Sequence, residues 1–405
     1  MLWSLSWKNV WRNKLRSIVV IIAITLGVFA GIFIMAFANG MVEERIKAII
    51  TTEISHIQIH RPGFKDNNDF SLRIDNANSI IPLIEKTKNV AAVSKRLVIS
   101  SLAASAETNT GVKILGIIPE EQKNVSNLHT KIIDGKYFEG VEKNPVVIGQ
   151  KLAEKLKVSV HKKIIITVQD IHTNIISGAF RVAGIYKTDN DLFDEANIFV
   201  RYDDLANLTG LKGTEAHEIA ILLNKNENTD KVKEQLKNEL PDLEVKDWME
   251  ISPEAGYLVS AMDQYMAVII IIILLALCFG IINTMLMVVL ERVHELGMLI
   301  AIGMSKLKVF GMVMLETVYL SVTGGIIGIA SGFIICKHLE KVGLDLYFWK
   351  DVYSSFGYSS FIYPVVNLRL IVFTGIMVIL MGIISAIYPA FKALKLNPAE
   401  ATRAE

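Results

Sequence analysis

Four stretches of the chain stay apolar for the thickness of a bilayer core. Ser17–Asn39 and Ala267–Leu290 carry no charge, Phe310–Ile335 carries one acid, Glu316, and Leu370–Phe391 ends at Tyr388-Pro389. A membrane-crossing helix needs roughly 20 apolar residues, so each stretch predicts one. Between the first and second the pattern changes. Gly40–Glu53 reads as a helix continuing out of the first span, with Met41, Ile46, Ile49 and Ile50 on one side. Ile54–His60 then alternates polar and apolar, as a strand does. Further short strands are predicted at Gly111–Ile118, Pro145–Gly149, Lys163–Gln169, Phe180–Tyr186, Asn197–Val200 and Glu218–Leu223. Helical stretches fall at Ser79–Thr87, Gln150–Leu156, Tyr202–Leu208 and Thr229–Leu240. This mixture predicts an α+β domain, split into two lobes by its strand-rich middle.

Composition agrees with a mixed architecture. The 405 residues are 52% hydrophobic and 20% charged, too apolar for an ordinary soluble enzyme and too charged for a chain lying wholly in lipid. The net charge of +1 sets up no field that would gather nucleic acid. Cys278 and Cys336 both fall in apolar segments, so no disulfide framework is expected.

Orientation follows from the basic residues that flank the spans. Lys8, Arg12, Lys14 and Arg16 precede the first span; Arg292, Lys306 and Lys308 lie in the short loop between the second and third; Lys392, Lys395 and Arg403 follow the fourth. All three segments are expected on the cytoplasmic side, which puts Gly40–Met266 and Lys337–Arg369 outside. A cleaved signal peptide is the competing reading of the first span, with Ala36-Phe37-Ala38 as the cleavage site. The apolar run is longer than the roughly 7–15 residues of a signal core, which favours a retained span.

Catalytic signals are weak. His56 and His60 invite a metal reading, but four residues along a strand put them roughly 13 Å apart, too far for one ion, and a polar strand face is expected instead. There is no zinc-type Cys/His cluster and no phosphate-binding glycine loop; Gly135-Lys136 lacks the rest of that motif. His294-Glu295 begins a metalloprotease-like motif that Met298 breaks, and no nucleophile elbow is present. Catalysis by this chain is not expected.

The loop Glu291–Val309 reads ERVHELGMLIAIGMSKLKV. Leu296, Leu299 and Ile300 recur at helical spacing on one face, Gly303 stops the helix, and Ser305 is placed to cap the next one. An amphipathic helix between two spans either lies in the membrane interface or docks into a groove on a partner, and the residues alone leave both open. The loop resembles the coupling helix of the type VII ABC permeases, the family of the macrolide exporter, the lipoprotein-release permeases and the cell-division permease. Their pattern is E-R-x-x-E-(I/L)-G-x-(L/M)-x-A-(I/L)-G, matched by Glu291, Arg292, Glu295, Leu296, Gly297, Leu299, Ala301, Ile302 and Gly303. Three further segments are similar to the family: Trp7–Ser17 at the amphipathic lead-in, Glu316 with Gly324–Gly332 in the third span, and Tyr388–Arg403 at the C-terminus. Leu115–Phe138, Val146–Val158 and Asp247-Trp248-Met249 resemble the lipoprotein-release members. One departure is Val160-His161-Lys162, where the family often has Gly-Asp.

The resemblance implies an α-helical membrane protein with four transmembrane helices plus an α+β extracytoplasmic domain inserted between the first and second. The expected segments are a lead-in at 1–16, spans at 17–39, 267–290, 310–335 and 370–391, the domain at 40–266, the coupling helix at 291–309, an outer loop at 336–369 and a cytoplasmic tail at 392–405. It also implies a separate dimer of ATPase subunits holding ATP and Mg, a second permease chain, a lipoprotein or lipid-like cargo, a periplasmic carrier or adaptor, and a place in the bacterial inner membrane. Glu291, Arg292, Glu295, Leu296, Gly297, Ala301 and Gly303 would couple the ATPase to the spans. An acid within a span is a functional candidate; Glu316 reads as part of coupling or packing at the cytoplasmic base, since no second intramembrane acid is there to pass a proton to. Gly324, Gly328 and Gly332 have the spacing of a close helix contact, within the chain or at a dimer seam. Tyr347–Tyr363 is rich in aromatics, as in an interfacial belt or a lip touching a lipid substrate.

Overall fold

The computed structural model describes residues 2–394. The first helix, α1 (Leu2–Arg12), leads directly into α2 (Lys14–Ala48). The first predicted span is the centre of α2; in hydrocarbon every backbone polar group must be satisfied within the segment, which a continuous helix does. Beyond the apolar stretch the helix runs on, as expected, into a π-helical turn at Ile49–Ile54 that Ser55 ends with a φ of 79°.

The α+β domain follows, with β1 (Ile57–His60), the short α3 (Phe64–Asn67), α4 (Ala77–Glu85), β2 (Val90–Ala104), β3 (Asn109–Ile117), α5 (Pro119–Val125), β4 (Ile132–Gly135), β5 (Pro145–Gly149), α6 (Gln150–Leu156), β6 (Lys163–Gln169), β7 (Ile175–Tyr186), α7 (Asp191–Ala196), β8 (Asn197–Arg201), α8 (Tyr202–Thr209), β9 (Glu218–Leu223), α9 (Thr229–Glu239), β10 (Glu244–Asp247) and α10 (Trp248–Ile251). The strands form one connected sheet but two cores. β10, β1, β9 and β2 lie side by side in that order, all antiparallel. With α4 between β1 and β2, and α9 between β9 and β10, this is a split β-α-β, or ferredoxin-like, unit. Its core gathers Ile57, Ile59, Ile84, Ile219, Ile221 and Leu236.

Everything between β2 and β9 is an insertion. There β2 pairs β3, β3 pairs β8, β8 pairs β5, β5 pairs β7, β7 pairs β6, and β6 returns to β2, closing a six-stranded ring around Leu97, Val146, Ile148, Ile166, Phe180 and Val182. Closure removes the sheet edges that would otherwise invite mispairing. The two expected lobes are present, and the long strand β2 runs through both of them. Its residues Val93–Ile99 are all buried, including Lys95 and Arg96, so it shows no alternation in sequence.

The remaining helices are α11 (Pro253–Glu291), α12 (Val293–Ala301), α13 (Lys306–Val342), the short α14 (Lys350–Ser355) and α15 (Leu368–Leu394), with two-residue strands β11 (Leu344–Asp345) and β12 (Phe361–Ile362) flanking α14. Among the described residues four helices are long and apolar enough to cross a membrane: α2 with its π-turn, α11, α13 and α15. The fourth expected span, 370–391, falls within α15, which runs to Leu394 with Pro389 inside it, a residue that removes one backbone hydrogen bond and crowds the carbonyl four positions back. The expected tail 392–405, with Lys395 and Arg403, lies outside the described residues apart from its first turn.

The chain divides into two compact units. One contains the spans. The other is Val42–Val259 together with Asp345–Phe361, so the centre of the loop expected at 336–369 belongs to the α+β unit.

Candidate functional site

The site is assembled around α12. Its residues Leu296 and Gly297 are buried, and Leu296 packs in the same core as Val289, Val309, Met312 and Val313, with Leu299 and Ile300 at its edge. The apolar stripe read from the sequence is therefore the face that holds α12 on the bundle. Arg292 occupies the N-cap position, and Gly303, with a φ of +105°, reverses the chain after the helix. An L-residue rarely adopts that conformation, and glycine takes it freely. Ser305 stands at the N-cap of α13, but no side-chain cap bond forms; its carbonyl accepts the N–H of Lys308 instead.

Around this stripe the charged residues point back onto the chain's own helices. Arg12 of α1 pairs with Glu295, and Arg16 of α2 pairs with Glu291. Arg292 donates to Glu295 at 3.0 Å and to Glu316 at 2.9 Å. The second carboxylate oxygen of Glu316 accepts from Asn9 Nδ2 at 2.8 Å. The hydrogen bond from Arg12 is the largest influence holding the Glu295 carboxyl below its usual range, so Glu295 stays ionised. α1 is anchored further by Trp7, packed edge-on to Tyr319 at 5.3 Å. The intramembrane acid is thus a satisfied, buried member of a network that joins α1, α12 and α13. Asn9, Arg12 and Arg16 were not singled out as partners of this loop; the signal in sequence was the matching of the basic WRNKLR segment to the acidic ERVHE one.

Among the described residues, nothing covers the opposite face of α12. Met298, Ala301, Ile302 and Gly303 are exposed, Ile302 at 84%, and Leu307 follows at 78%. Exposed apolar patches of this kind face either a partner or the membrane interface. The candidate residues consequently divide. Glu291, Arg292, Glu295, Leu296 and Gly297 fix the helix to the bundle, whereas Ala301 and Gly303 belong to the outward surface.

Gly324, Gly328 and Gly332 face α2. A Cβ on Gly324 would stand 2.8 Å from the Cβ of Ile24, one on Gly328 the same distance from that of Val28, and one on Gly332 3.1 Å from Ile32. Thr25 Oγ1 donates to the Gly324 carbonyl at 3.1 Å. The small-residue stripe is where α2 and α13 pack within one chain.

In the α+β unit, His56 and His60 are buried rather than on a polar strand face. His56 Nδ1 accepts from the Leu223 N–H, and His217 Nδ1 accepts from the Val98 N–H. Both rings are neutral; burial lowers the pKa of each to about 4. Glu218, 3% exposed, receives Arg96 at 2.7 Å and Lys65 at 3.1 Å, and those cations overcome its burial to hold its pKa well below the ordinary range. No group of ligating side chains suited to a metal occurs among the described residues. His161, at the departure from the family pattern, has a φ of +68° in a turn closed by Lys162 N–H to Ser159 O, the conformation a glycine takes without strain. Tyr347, Phe348, Trp349 and Phe356 are exposed, and their segment is held to the same unit by Ser354 Oγ donating to Asp191 at 3.2 Å. Trp248 is buried against Ile49 and Ile50 and donates to Asn226.

Spans, an α+β domain emerging from the first of them, and an amphipathic helix tied beneath the bundle define a membrane-embedded permease. The family model described as "MacB-like periplasmic core domain" matches residues 17–239, and the one described as "FtsX-like permease C-terminal" matches residues 267–398. The chain belongs to the type VII ABC permeases that these two domains define. It is 28% identical to an uncharacterized ABC transporter permease of Methanocaldococcus jannaschii over 68% of this chain and 66% of that one, just short of two thirds of the relative's length. It is 22% identical to the lipoprotein-releasing system transmembrane protein LolC of Neisseria meningitidis over 92% of this chain and 90% of LolC. It is 32% identical to the macrolide export ATP-binding/permease protein MacB of Psychrobacter arcticus, but over only 35% of this chain and 19% of MacB. Among solved structures, the periplasmic region of MacB from Actinobacillus actinomycetemcomitans aligns with a TM-score of 0.36 at 16% identity, over 53% of this chain and 97% of that one.

Proposed function

We propose that this chain is one permease of an ABC machine that extracts lipoproteins from the outer leaflet of the bacterial inner membrane. The observation that carries the reading is the similarity to LolC, which runs nearly end to end in both chains; the matches to MacB cover a fifth of that protein or less. An ATPase subunit, with its own ATP and Mg, docks on the outward face of α12 at Met298, Ala301, Ile302 and Gly303. Closure of the ATPase dimer pushes α12, and the ion pairs to α1, α2 and α13 pass the push to the spans and on to the α+β domain. The cargo is handed to a periplasmic carrier without crossing the bilayer. The energetics call for such a driver, because each acyl CH₂ withdrawn from lipid costs about 0.8 kcal/mol.

The test is co-purification of the detergent-solubilised full chain with mass spectrometry of what accompanies it. An ATPase subunit, a second permease chain and triacylated lipoproteins are expected, and Ile302→Glu should lose the ATPase alone. An ATPase accompanied by a periplasmic adaptor or a cell-wall hydrolase, without lipoprotein, would move the assignment to efflux or to hydrolase regulation. Absence of any ATPase would overturn it.

A further inference from the structure

The exposed aromatics of the segment between α13 and α15 lie on one side. Phe348, Val352 and Phe356 recur every four residues through α14 and its ends, which puts them on one helical face, and all three are exposed, Phe348 at 89%. Tyr347 and Trp349 flank that face and are exposed as well. Ser354, on the other side, is buried and donates to Asp191 of α7 at 3.2 Å. Gly357 turns the chain after α14 with a φ of +75°, and a Cβ added there would stand 3.0 Å from Arg45 Cζ. The segment is thus fixed to the α+β unit by its polar side and presents its apolar side outward.

The patch continues onto the unit itself. Leu192, the residue after Asp191, and Ile133 of β4 are exposed, and Ile133 lines a cavity of about 190 Å³ with Ser354 and Tyr358. Lys187 and Lys350 stand at the same cavity, and the Lys350 ammonium lies 5.6 Å from the ring centre of Tyr347. Both ends of the segment are tied to helices long and apolar enough to cross a membrane. Tyr347 follows Val342, the last residue of α13, by five positions, at most about 18 Å of extended chain. Phe361 precedes Leu368, the first residue of α15, by seven, at most about 25 Å.

We propose that this face docks into the headgroup layer of the bilayer that the spans cross and anchors one edge of the α+β unit there. Two observations select a lipid surface over a protein partner. The short connections to α13 and α15 keep the segment within reach of that layer. Its composition is that of a membrane interface, where Trp and Tyr put a ring among the headgroups and Lys keeps its ammonium in water; protein interfaces also gather aromatics, but they are depleted in Lys. An apolar stripe on one side and a polar side opposite belong to a segment that lies along a membrane rather than through it. The inference depends on the chain spanning a bilayer and is independent of which cargo the machine moves.

The experiment places a nitroxide on the full chain in vesicles of phosphatidylcholine with one fifth phosphatidylglycerol. The background is Cys278→Ala with Cys336→Ala, and the label goes on Phe348→Cys, on Val352→Cys and, for comparison, on Ile175→Cys, an exposed position at the start of β7. Electron paramagnetic resonance reads the collisions of each label with oxygen, which concentrates in lipid, and with a nickel chelate, which stays in water. The ratio of oxygen to nickel collisions is expected to be at least threefold higher at the first two positions than at the third. Equal ratios at all three overturn the proposal. Low collision rates with both reagents at the first two positions also overturn it and make the face a protein contact. Should Phe348→Cys fail to fold, Val352→Cys decides, since it lies on the same face.

Discussion

Glu316 is the residue on which the base of the bundle turns. Its side chain is 5% exposed and that of Arg292 16%, so neither charge is well hydrated, and removing one leaves the other buried and unpaired. Glu316→Ala should cost roughly 3 kcal/mol or more in unfolding free energy. Arg12→Ala, which breaks an ion pair between side chains about half exposed, should cost at most about 1 kcal/mol. Denaturation of the two variants in the same detergent checks the contrast; equal losses would mean that Glu316 is not buried as described. At the α2–α13 seam, Gly328→Ala should cost about 1–3 kcal/mol through overpacking against Val28. Gly311→Ala, with nothing within 4 Å, should be neutral or stabilising by about 0.5–1 kcal/mol. Glu316 was legible as a functional candidate because an acid in an apolar run stands out. Its partner Asn9 was not, since nothing in a single sequence ties residues so far apart in the chain.

Elements differ in how much of themselves they write into the sequence. β5, β6, β9 and α6 lie where the pattern put them, since each is short, apolar and bounded by turn residues. β2 escaped because its middle is buried on both faces and carries Lys95 and Arg96, which find partners in Asn78, Gly213 and Glu218; burial of paired charges erases the alternation by which strands are read. β10, with the sequence EVKD, is too short and too charged to register. The same burial gives the α+β unit a pH dependence. The unfolded chain protonates His56 and His217 near their ordinary 6.5, but the folded rings resist until about 4. Stability is therefore full above pH 6.5 and falls as the pH drops toward 4, by up to roughly 3 kcal/mol for each ring. Protection factors for amide hydrogen exchange of the full chain at β2 and β9, each referred to the intrinsic rate at its own pH, should fall across that window; protection unchanged from pH 7 to 4.5 would contradict the neutral, N–H-accepting histidines.

At the scale of the whole molecule, the order of the spans and the alternation of basic segments were open to view, because lipid permits so few backbone solutions. What stayed hidden was the assembly: a six-stranded ring inserted into a ferredoxin-like unit, and an N-terminal helix pinned to the loop between α11 and α13. Both depend on pairings between distant segments. On the proposed function, force applied at α12 leaves the chain as lipoprotein release. The measurement closest to it uses proteoliposomes holding this chain with the proposed ATPase and second permease chain, loaded with a fluorescent triacylated lipoprotein and given a soluble acceptor outside. ATP should drive the lipoprotein onto the acceptor, and Glu316→Gln should leave ATP hydrolysis running while release falls at least tenfold. Sustained ATP hydrolysis with no lipoprotein leaving the unmodified assembly would contradict the account.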